Sequence, residues 1–315
     1  TIPEGKITAI VGASGSGKTT LVKHILYPAL KNYLEEITAA SIGSFKNLSG
    51  DLKAITKVEL INQNPIGKSS RSNPITYVGA YDSIRKLYAD QQLSKIKGFL
   101  PKHFSFNVDA GRCETCKGEG EITVEMQFLA DVKLLCDECN GRRFKNEVLD
   151  VKYKEKNIYD VLSMSIEEAL DFFQERKDIV AKIEPLFNVG LGYVQLGQSS
   201  STLSGGEAQR VKLASYLGKE RATEKIFFIF DEPTTGLHFH DINKLLKALN
   251  DLVEMGHTVL VVEHNLEVIK TADYVIDLGP VGGKEGGHLL YQGPPEKLVK
   301  VKGSFTGQFL KEKLN

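Results

Sequence analysis

The run Gly12 to Thr19, GASGSGKT, fits G-x-x-x-x-G-K-[ST] and lies between a β-rich apolar segment, Ile7 to Val11, and the helical pattern Leu21, Val22, Ile25, Leu26. No other stretch restricts the fold as strongly. A glycine loop that turns from strand into helix lets backbone N–H groups converge on phosphate, and the helix N-terminus adds positive potential. The candidate phosphate-binding residues are therefore Gly12, Ala13, Ser14, Gly15, Ser16, Gly17, Lys18, Thr19 and Thr20. Lys18 is expected to reach the β and γ phosphates of a nucleotide and Thr19 to offer its hydroxyl to Mg²⁺. A glycine-rich turn without a ligand is the competing reading, and the complete match in a strand–loop–helix context argues against it. Pro28 is expected to kink or close the helix, because it lacks an amide proton and crowds the preceding turn.

Strand and helix patterns alternate further along the chain. Ser165 with Glu168 forms a capping box ahead of Ala169, Leu170, Phe172 and Phe173. Ser204 precedes a helical stretch through Leu217, and Ile226 to Phe230 (IFFIF) has the length and composition of a buried strand. A helix with the apolar face Ile242, Leu245, Leu246, Leu249, Leu252 and Val253 closes at Gly256, and Thr258 to Val262 is the next strand. Between the first helix and about Gly111 the chain reads as polar and irregular, with Gln63 to Pro74 an ordered surface loop. The expectation is an α/β fold with a parallel sheet and its ligand at the carboxyl ends of the strands.

Forty basic and forty acidic residues in 315 cancel, so any attraction for nucleic acid must be local. One local excess exists. From Asn62 to Lys117 there are nine Lys or Arg against four acids. A basic patch binds phosphate backbones irrespective of sequence, and a solvated face is the alternative reading of the same charges. No stretch approaches the roughly 20 apolar residues of a membrane span, and no signal pattern opens the chain, so a cytoplasmic location is expected.

The IFFIF run leads directly into Asp231 and Glu232. Two carboxylates at the end of a buried strand beside a phosphate cradle suit metal binding by Asp231 and activation of water by Glu232. Cys113-x2-Cys116, nineteen residues, then Cys136-x2-Cys139 matches a four-cysteine zinc site. With four thiolates filling a tetrahedron no position is left for catalysis, so Zn²⁺ there is expected to be structural. Gly118, Gly120 and Gly141 permit the tight turns of zinc knuckles. A redox dithiol is the alternative, and two matched pairs fit it poorly. His24, His103, His238, His240, His257 and His288 have no motif around them.

Leu203 to Glu207, LSGGE, lies shortly before the acidic strand, and the combination resembles the ABC ATPases. The resemblance implies that Ser204, Gly205 and Gly206 contact the γ phosphate of a nucleotide held mainly by a second nucleotide-binding unit. It also places Gln63 as the glutamine that senses the γ phosphate and metal, and His264 as the switch histidine. The order of phosphate loop, glutamine loop, four-cysteine insertion, LSGGEAQR and DEPTTGLH is narrower still, and resembles the UvrA family of bacterial nucleotide excision repair. Supporting text includes PIGKSSRSNPITY, FSFNVDAGRCETCKGEG, LGQSSSTLSGGEAQRVKLA and VVEHNLEVIKTADYVIDLGP.

The resemblance is to the C-terminal nucleotide-binding half of that family, so the chain reads as a fragment. It implies a cytoplasmic, dimeric ATPase with an excinuclease role in DNA repair and the SOS response, using ATP, Mg²⁺ and Zn²⁺. The implied partners are damaged double-stranded DNA with little sequence preference, and a second nucleotide-binding unit, either another copy or the missing N-terminal half. UvrB is a further partner in the full-length protein. DNA contact is implied for Lys68, Arg71 and Arg85, although the family usually has arginine where Lys68 stands. The expected domains are 1–64, the first part of the nucleotide-binding core; 65–217, a signature and insertion domain with a zinc module at 108–145; and 218–315, the second part of the core. A transporter's ATPase domain shares the nucleotide motifs, but 140 residues and a zinc pattern separate Gln63 from Leu203. A chromosome-maintenance ATPase would fill that gap with heptads, which are missing. A DNA-binding module that holds ATP without turnover is the third reading.

Overall fold

The computed structural model describes residues 1–35, 42–67, 69, 71–126, 131–218 and 224–314. Lys68 lies outside them. The chain divides into two compact units, Thr1–Asn64 with Lys219–Asn315, and Pro65–Gly218.

The first unit starts with β1 (Ile7–Gly12), buried at every position as expected of a strand covered on both faces. The helical segment after the phosphate loop is π-helical over Thr20–Leu26 and passes into α1 (Tyr27–Glu35). Pro28 thus neither closes nor ends the helix. The wide turn, in which the Tyr27 N–H reaches back to Val22 O, places Pro28 in the first turn of α1, where its missing N–H is no loss. The His24 carbonyl, which residue 28 would otherwise have bonded, accepts from the Gly43 N–H at 2.9 Å. β2 (Lys57–Ile61) follows, a strand inside the region expected to be irregular.

The second unit contains α2 (Pro74–Tyr77), α3 (Ala80–Ala89), α4 (Gln92–Lys97), β3 (Glu121–Val124), β4 (Val132–Leu135), α5 (Asn146–Leu149), α6 (Ile158–Ser163), α7 (Ile166–Phe172), α8 (Lys177–Asn188) and α9 (Gly205–Leu217). α2 to α4 also correct the irregular reading up to Gly111. In α3, Ala80, Tyr81, Ile84, Leu87 and Tyr88 are buried at helical spacing, a period masked by the interspersed polar side chains. The Tyr81 hydroxyl donates to Phe104 O at 2.6 Å while its ring stacks on Phe106 at 5.1 Å, so this buried hydroxyl keeps a hydrogen-bond partner within the aromatic core.

The chain returns to the first unit with β5 (Ile226–Asp231), α10 (Phe239–Glu254), β6 (Thr258–Val262), α11 (Leu266–Thr271), β7 (Tyr274–Gly279), β8 (His288–Gly293), α12 (Pro295–Leu298) and α13 (Phe305–Leu314). The sheet order is β2-β5-β6-β1-β7-β8. Its first five strands run parallel, and β8 pairs antiparallel with β7. That edge departs from the all-parallel expectation because only a short glycine-rich loop joins β7 to β8. Too few residues are available for a crossover. Ile10, Phe227, Ile229, Leu260 and Val262 form the centre of the core, with Val22 and Leu30 packed on it. Among the described residues no helix is long and apolar enough to cross a membrane.

Candidate nucleotide site and metal centre

Parallel pairing aligns Ile10 with Val262 and Phe230 with Val261, so the carboxyl ends of β1, β5 and β6 lie together. Gly12 leaves β1 at φ +132°, and a Cβ there would stand 1.9 Å from Leu278 O, which restricts the position to glycine. The loop then turns through Ser16, whose N–H donates to Ala13 O at 3.2 Å, into the helix. Lys18 folds back so that its ammonium donates to Gly12 O and Ala13 O, both at 2.9 Å. Burial pushes the Lys18 pKa down, opposed by the carboxylates of Glu232 and Asp277. The Ser16 hydroxyl is buried and has no hydrogen-bond partner among the described residues. Such a donor in a glycine loop fits phosphate oxygen as its acceptor. Thr19 and Thr20 are exposed at the mouth of the loop, as are Ser14 and Gly15.

Asp231 ends β5 and is ion-paired with Lys23 at 2.5 Å. Glu232 follows at φ +47°, an uncommon conformation for a side chain with a Cβ, and its N–H donates to Val262 O at 2.9 Å. Its carboxylate stands 3.7 Å from His264 Nε2, both side chains being half exposed. Gln63 lies two residues beyond β2, at the same end of the sheet, since Ile61 pairs with Phe230. The first unit therefore gathers Gly12 to Thr20, Asp231, Glu232, His264 and Gln63 along one edge.

Ser204, Gly205 and Gly206 belong to the second unit. Ser204 caps α9 by accepting from the Glu207 N–H at 3.2 Å, and the Glu207 carboxylate accepts from the Ser204 N–H at 2.7 Å. The Tyr193 hydroxyl donates to the same carboxylate at 2.7 Å. Serine here is a helix cap beside the Gly205 and Gly206 N–H groups of the first turn, a local arrangement suited to an anion.

Three contributors were not singled out from the sequence. Lys23, one helical turn beyond Thr19, holds Asp231. Asp277 on β7 is 1% exposed, accepts from the Ser304 hydroxyl at 2.5 Å and lies close enough to Lys18 to act on its charge. Burial pushes the Asp277 carboxyl up, with Ser304 and Lys18 opposing. Gly282 and Gly283 lie against the phosphate loop, the Gly283 N–H donating to Gly15 O at 3.1 Å. The run VGGKEGG carried the only signal for that contact, a density of glycines with no strand–helix context.

In the second unit the four thiols are buried and all lie within 4.8 Å of one another. Cys113 and Cys136 Sγ are 3.8 Å apart, and Cys116 and Cys139 Sγ are 3.6 Å apart. A tetrahedron of thiolates around Zn²⁺ at about 2.3 Å has edges of about 3.8 Å, whereas a disulfide needs about 2.05 Å. The residues fit a structural zinc. The two knuckles repeat each other: Lys117 and Gly118 follow Cys116 at φ +51° and +86°, and Asn140 and Gly141 follow Cys139 at +49° and +77°. Cys113 N–H donates to Arg143 O at 2.8 Å, and Cys136 N–H to Gly120 O at 3.0 Å, so each knuckle anchors the other. Burial pushes the Cys139 thiol up to about 12, while at Cys136 burial is opposed by the N–H groups of Cys139 and Glu138 together with the Cys139 and Cys113 thiols, and the net effect lowers it. Arg71 pairs with Glu119 at 2.8 Å beside a cleft of about 230 Å³ also lined by Lys133 and Arg143. Arg85 pairs with Asp82, its guanidinium 5.5 Å from the centre of the Tyr81 ring.

The ABC transporter family matches residues 1–38. UvrABC system protein A of Clostridium perfringens is 52% identical over 312 residues, 99% of this chain and 33% of that protein. The Rickettsia bellii protein of the same name is 52% identical over 313 residues, again 99% of this chain and 33% of its own length. The crystal structure of UvrA2 from Deinococcus radiodurans superposes with a TM-score of 0.91 at 43% identity, covering 100% of this chain and 38% of that one. The chain spans about a third of the length of the curated relatives it matches. Half of all residues are shared with those relatives along nearly the whole chain, and the chain belongs to the UvrABC system protein A family.

Proposed function

We propose that the chain is the C-terminal nucleotide-binding part of a UvrA-type excinuclease subunit, which binds and hydrolyses ATP and couples this to recognition of damaged DNA in nucleotide excision repair. The observation that carries the reading is the convergence of the phosphate loop, Asp231, Glu232 and His264 at one sheet edge, with Glu232 and His264 3.7 Å apart. In this reading the loop amides from Ala13 to Thr19, the Ser16 hydroxyl and the Lys18 ammonium hold the β and γ phosphates. Glu232 takes a proton from the attacking water, His264 orients the γ phosphate and Glu232, and Gln63 senses the occupied site. Thr19 and Asp231 would hold Mg²⁺, which neutralises phosphate charge when bound. Ser204, Gly205 and Gly206 complete the site of a second nucleotide-binding unit, another copy or the N-terminal half, and UvrB binds the full-length protein. Zn²⁺ on the four cysteines is structural, and a cytoplasmic location suits this work.

Arg71, Arg85 and Lys68 are proposed to contact the backbone of double-stranded DNA without base readout, Arg71 exchanging Glu119 for phosphate. Reversal of Arg71 to Glu is expected to weaken DNA binding and flatten its salt dependence.

Phosphate release and calorimetry, measured across a range of protein concentrations, test the ATPase reading. Glu232→Gln is expected to bind MgATP like the wild type and to lose turnover. Retained turnover would remove Glu232 as the base. A folded chain without magnesium-dependent affinity for adenine nucleotides would overturn the whole reading.

A further inference from the structure

Glu263 directly follows β6 and is 2% exposed. An isolated buried carboxylate is costly, and one fully supplied with donors is a rigid anchor. Glu263 has four. Its Oε1 accepts from the Thr234 N–H at 2.8 Å and the Thr234 hydroxyl at 2.7 Å. Its Oε2 accepts from the His264 N–H at 2.9 Å and the Asn265 N–H at 3.0 Å.

The division between the two oxygens is informative. One oxygen serves only the loop after β5, and the other only the loop after β6. The first loop carries Glu232, held at φ +47° in a turn closed by the Thr235 N–H on Glu232 O at 3.1 Å. Thr234 is inside that turn. The second loop carries His264. Capping of α11 does not explain the arrangement, because Asn265 already accepts from the Glu267 N–H at 2.9 Å. Sheet pairing does not explain it either, since the Glu263 backbone N–H is used separately, on Ile10 O at 3.2 Å.

We propose that Glu263 is a positioning residue for hydrolysis: a buried carboxylate staple that fixes the loop bearing Glu232 to the loop bearing His264, and so sets the spacing of that pair. The proposal rests on the ATPase reading of the same site. Glutamine at 263 keeps the shape but turns one acceptor into a donor, which must face N–H or O–H groups and release one loop.

The test compares the 315-residue wild type with Glu263→Gln, Thr234→Val and the double variant, measuring MgATP affinity by calorimetry and turnover at saturating MgATP. Glu263→Gln is expected to lower kcat about 100-fold, the cost of misplacing a reacting group by about 1 Å, with MgATP affinity within about threefold of wild type. Thr234→Val should lower kcat less, and the double variant should be no worse than Glu263→Gln alone, because both act through one connection. A kcat within about twofold of wild type, an equal fall in affinity, or additive effects in the double variant would overturn the staple. If Glu263→Gln does not fold, Thr234→Val decides, and unchanged kcat in it overturns the proposal. Amide exchange over 232–236 and 263–266 separates the staple from the reading it rests on. A wild type without turnover removes the ATPase reading alone; joint loss of protection in both segments in either variant still supports the staple, and loss confined to one segment refutes it.

Discussion

In the sheet unit, apolar side chains make the interior: Ile10, Phe228, Ile229 and Leu260 are 1% exposed or less, and polar chemistry sits at the strand ends. In the cysteine module of the other unit the relation is reversed. Cys113, Cys116, Cys136 and Cys139 form the buried cluster, while Ile122, Val124, Val132 and Leu134 pair across β3 and β4 with 38% to 53% of their surface open. A two-stranded hairpin is marginal in water and cannot bury both faces. The module must therefore draw its stability from the thiols, and the sheet unit from hydrocarbon burial. Loops that act on phosphate need a rigid frame on which every strand end is fixed, whereas a small module can be held by one metal centre.

The largest test of that contrast is Cys136→Ser. Structural zinc contributes about 10–16 kcal/mol in isolated zinc modules, so the variant is expected to lose metal and the amide protection of 121–124 and 132–135, while MgATP affinity in the sheet unit stays. Unchanged zinc content would remove the metal assignment, and loss of nucleotide affinity would show that the units are not separately stabilised. Phe228→Ala, in the middle of the sheet, should cost about 3–5 kcal/mol in denaturant titration without releasing zinc. Zinc release at the same denaturant concentration would break the distinction. Ser204→Ala removes one cap of α9 and should cost about 1 kcal/mol, seen as lost protection in its first turn.

The smallest effect concerns the sheet unit's surface. Lys270, then Lys313, hydrogen-bond Glu267 and hold its carboxyl below the usual carboxylate range. A depressed folded pKa stabilises the folded chain above the unfolded value and loses that contribution as pH falls through the folded one. Glu267→Gln should therefore lower the melting temperature at neutral pH by an amount worth no more than about 1 kcal/mol, and the difference should begin to shrink as pH falls past the ordinary carboxylate pKa of about 4.3 and vanish below the lowered folded one. A difference that persists in acid would assign the effect to packing.

Motifs with fixed spacing were legible because their chemistry is local. The phosphate loop needs consecutive amides, the knuckles need two residues between cysteines, and Ser165 and Ser204 each cap three residues ahead, as the structure has them. Pro28 does not close the helix as the sequence allowed, because the freed His24 carbonyl finds a partner in Gly43, fifteen residues from the proline. β2 and α2 to α4 were missed because polar residues interrupt their patterns, and burial there is decided by what packs against them. Asp277, Lys23 and Glu263 gave no signal at all, since a single Asp, Lys or Glu acquires meaning only from its partners.

The sequence by itself determined the alternation of strands and helices, the phosphate loop and the two cysteine pairs, all of which are short-range arrangements set by backbone geometry and residue spacing. Tertiary structure alone decided the strand order β2-β5-β6-β1-β7-β8, the antiparallel edge and the 3.7 Å approach of Glu232 to His264. Those depend on which distant segments share a sheet, and Glu232 and His264, 32 positions apart, meet only when β5 and β6 pair in register.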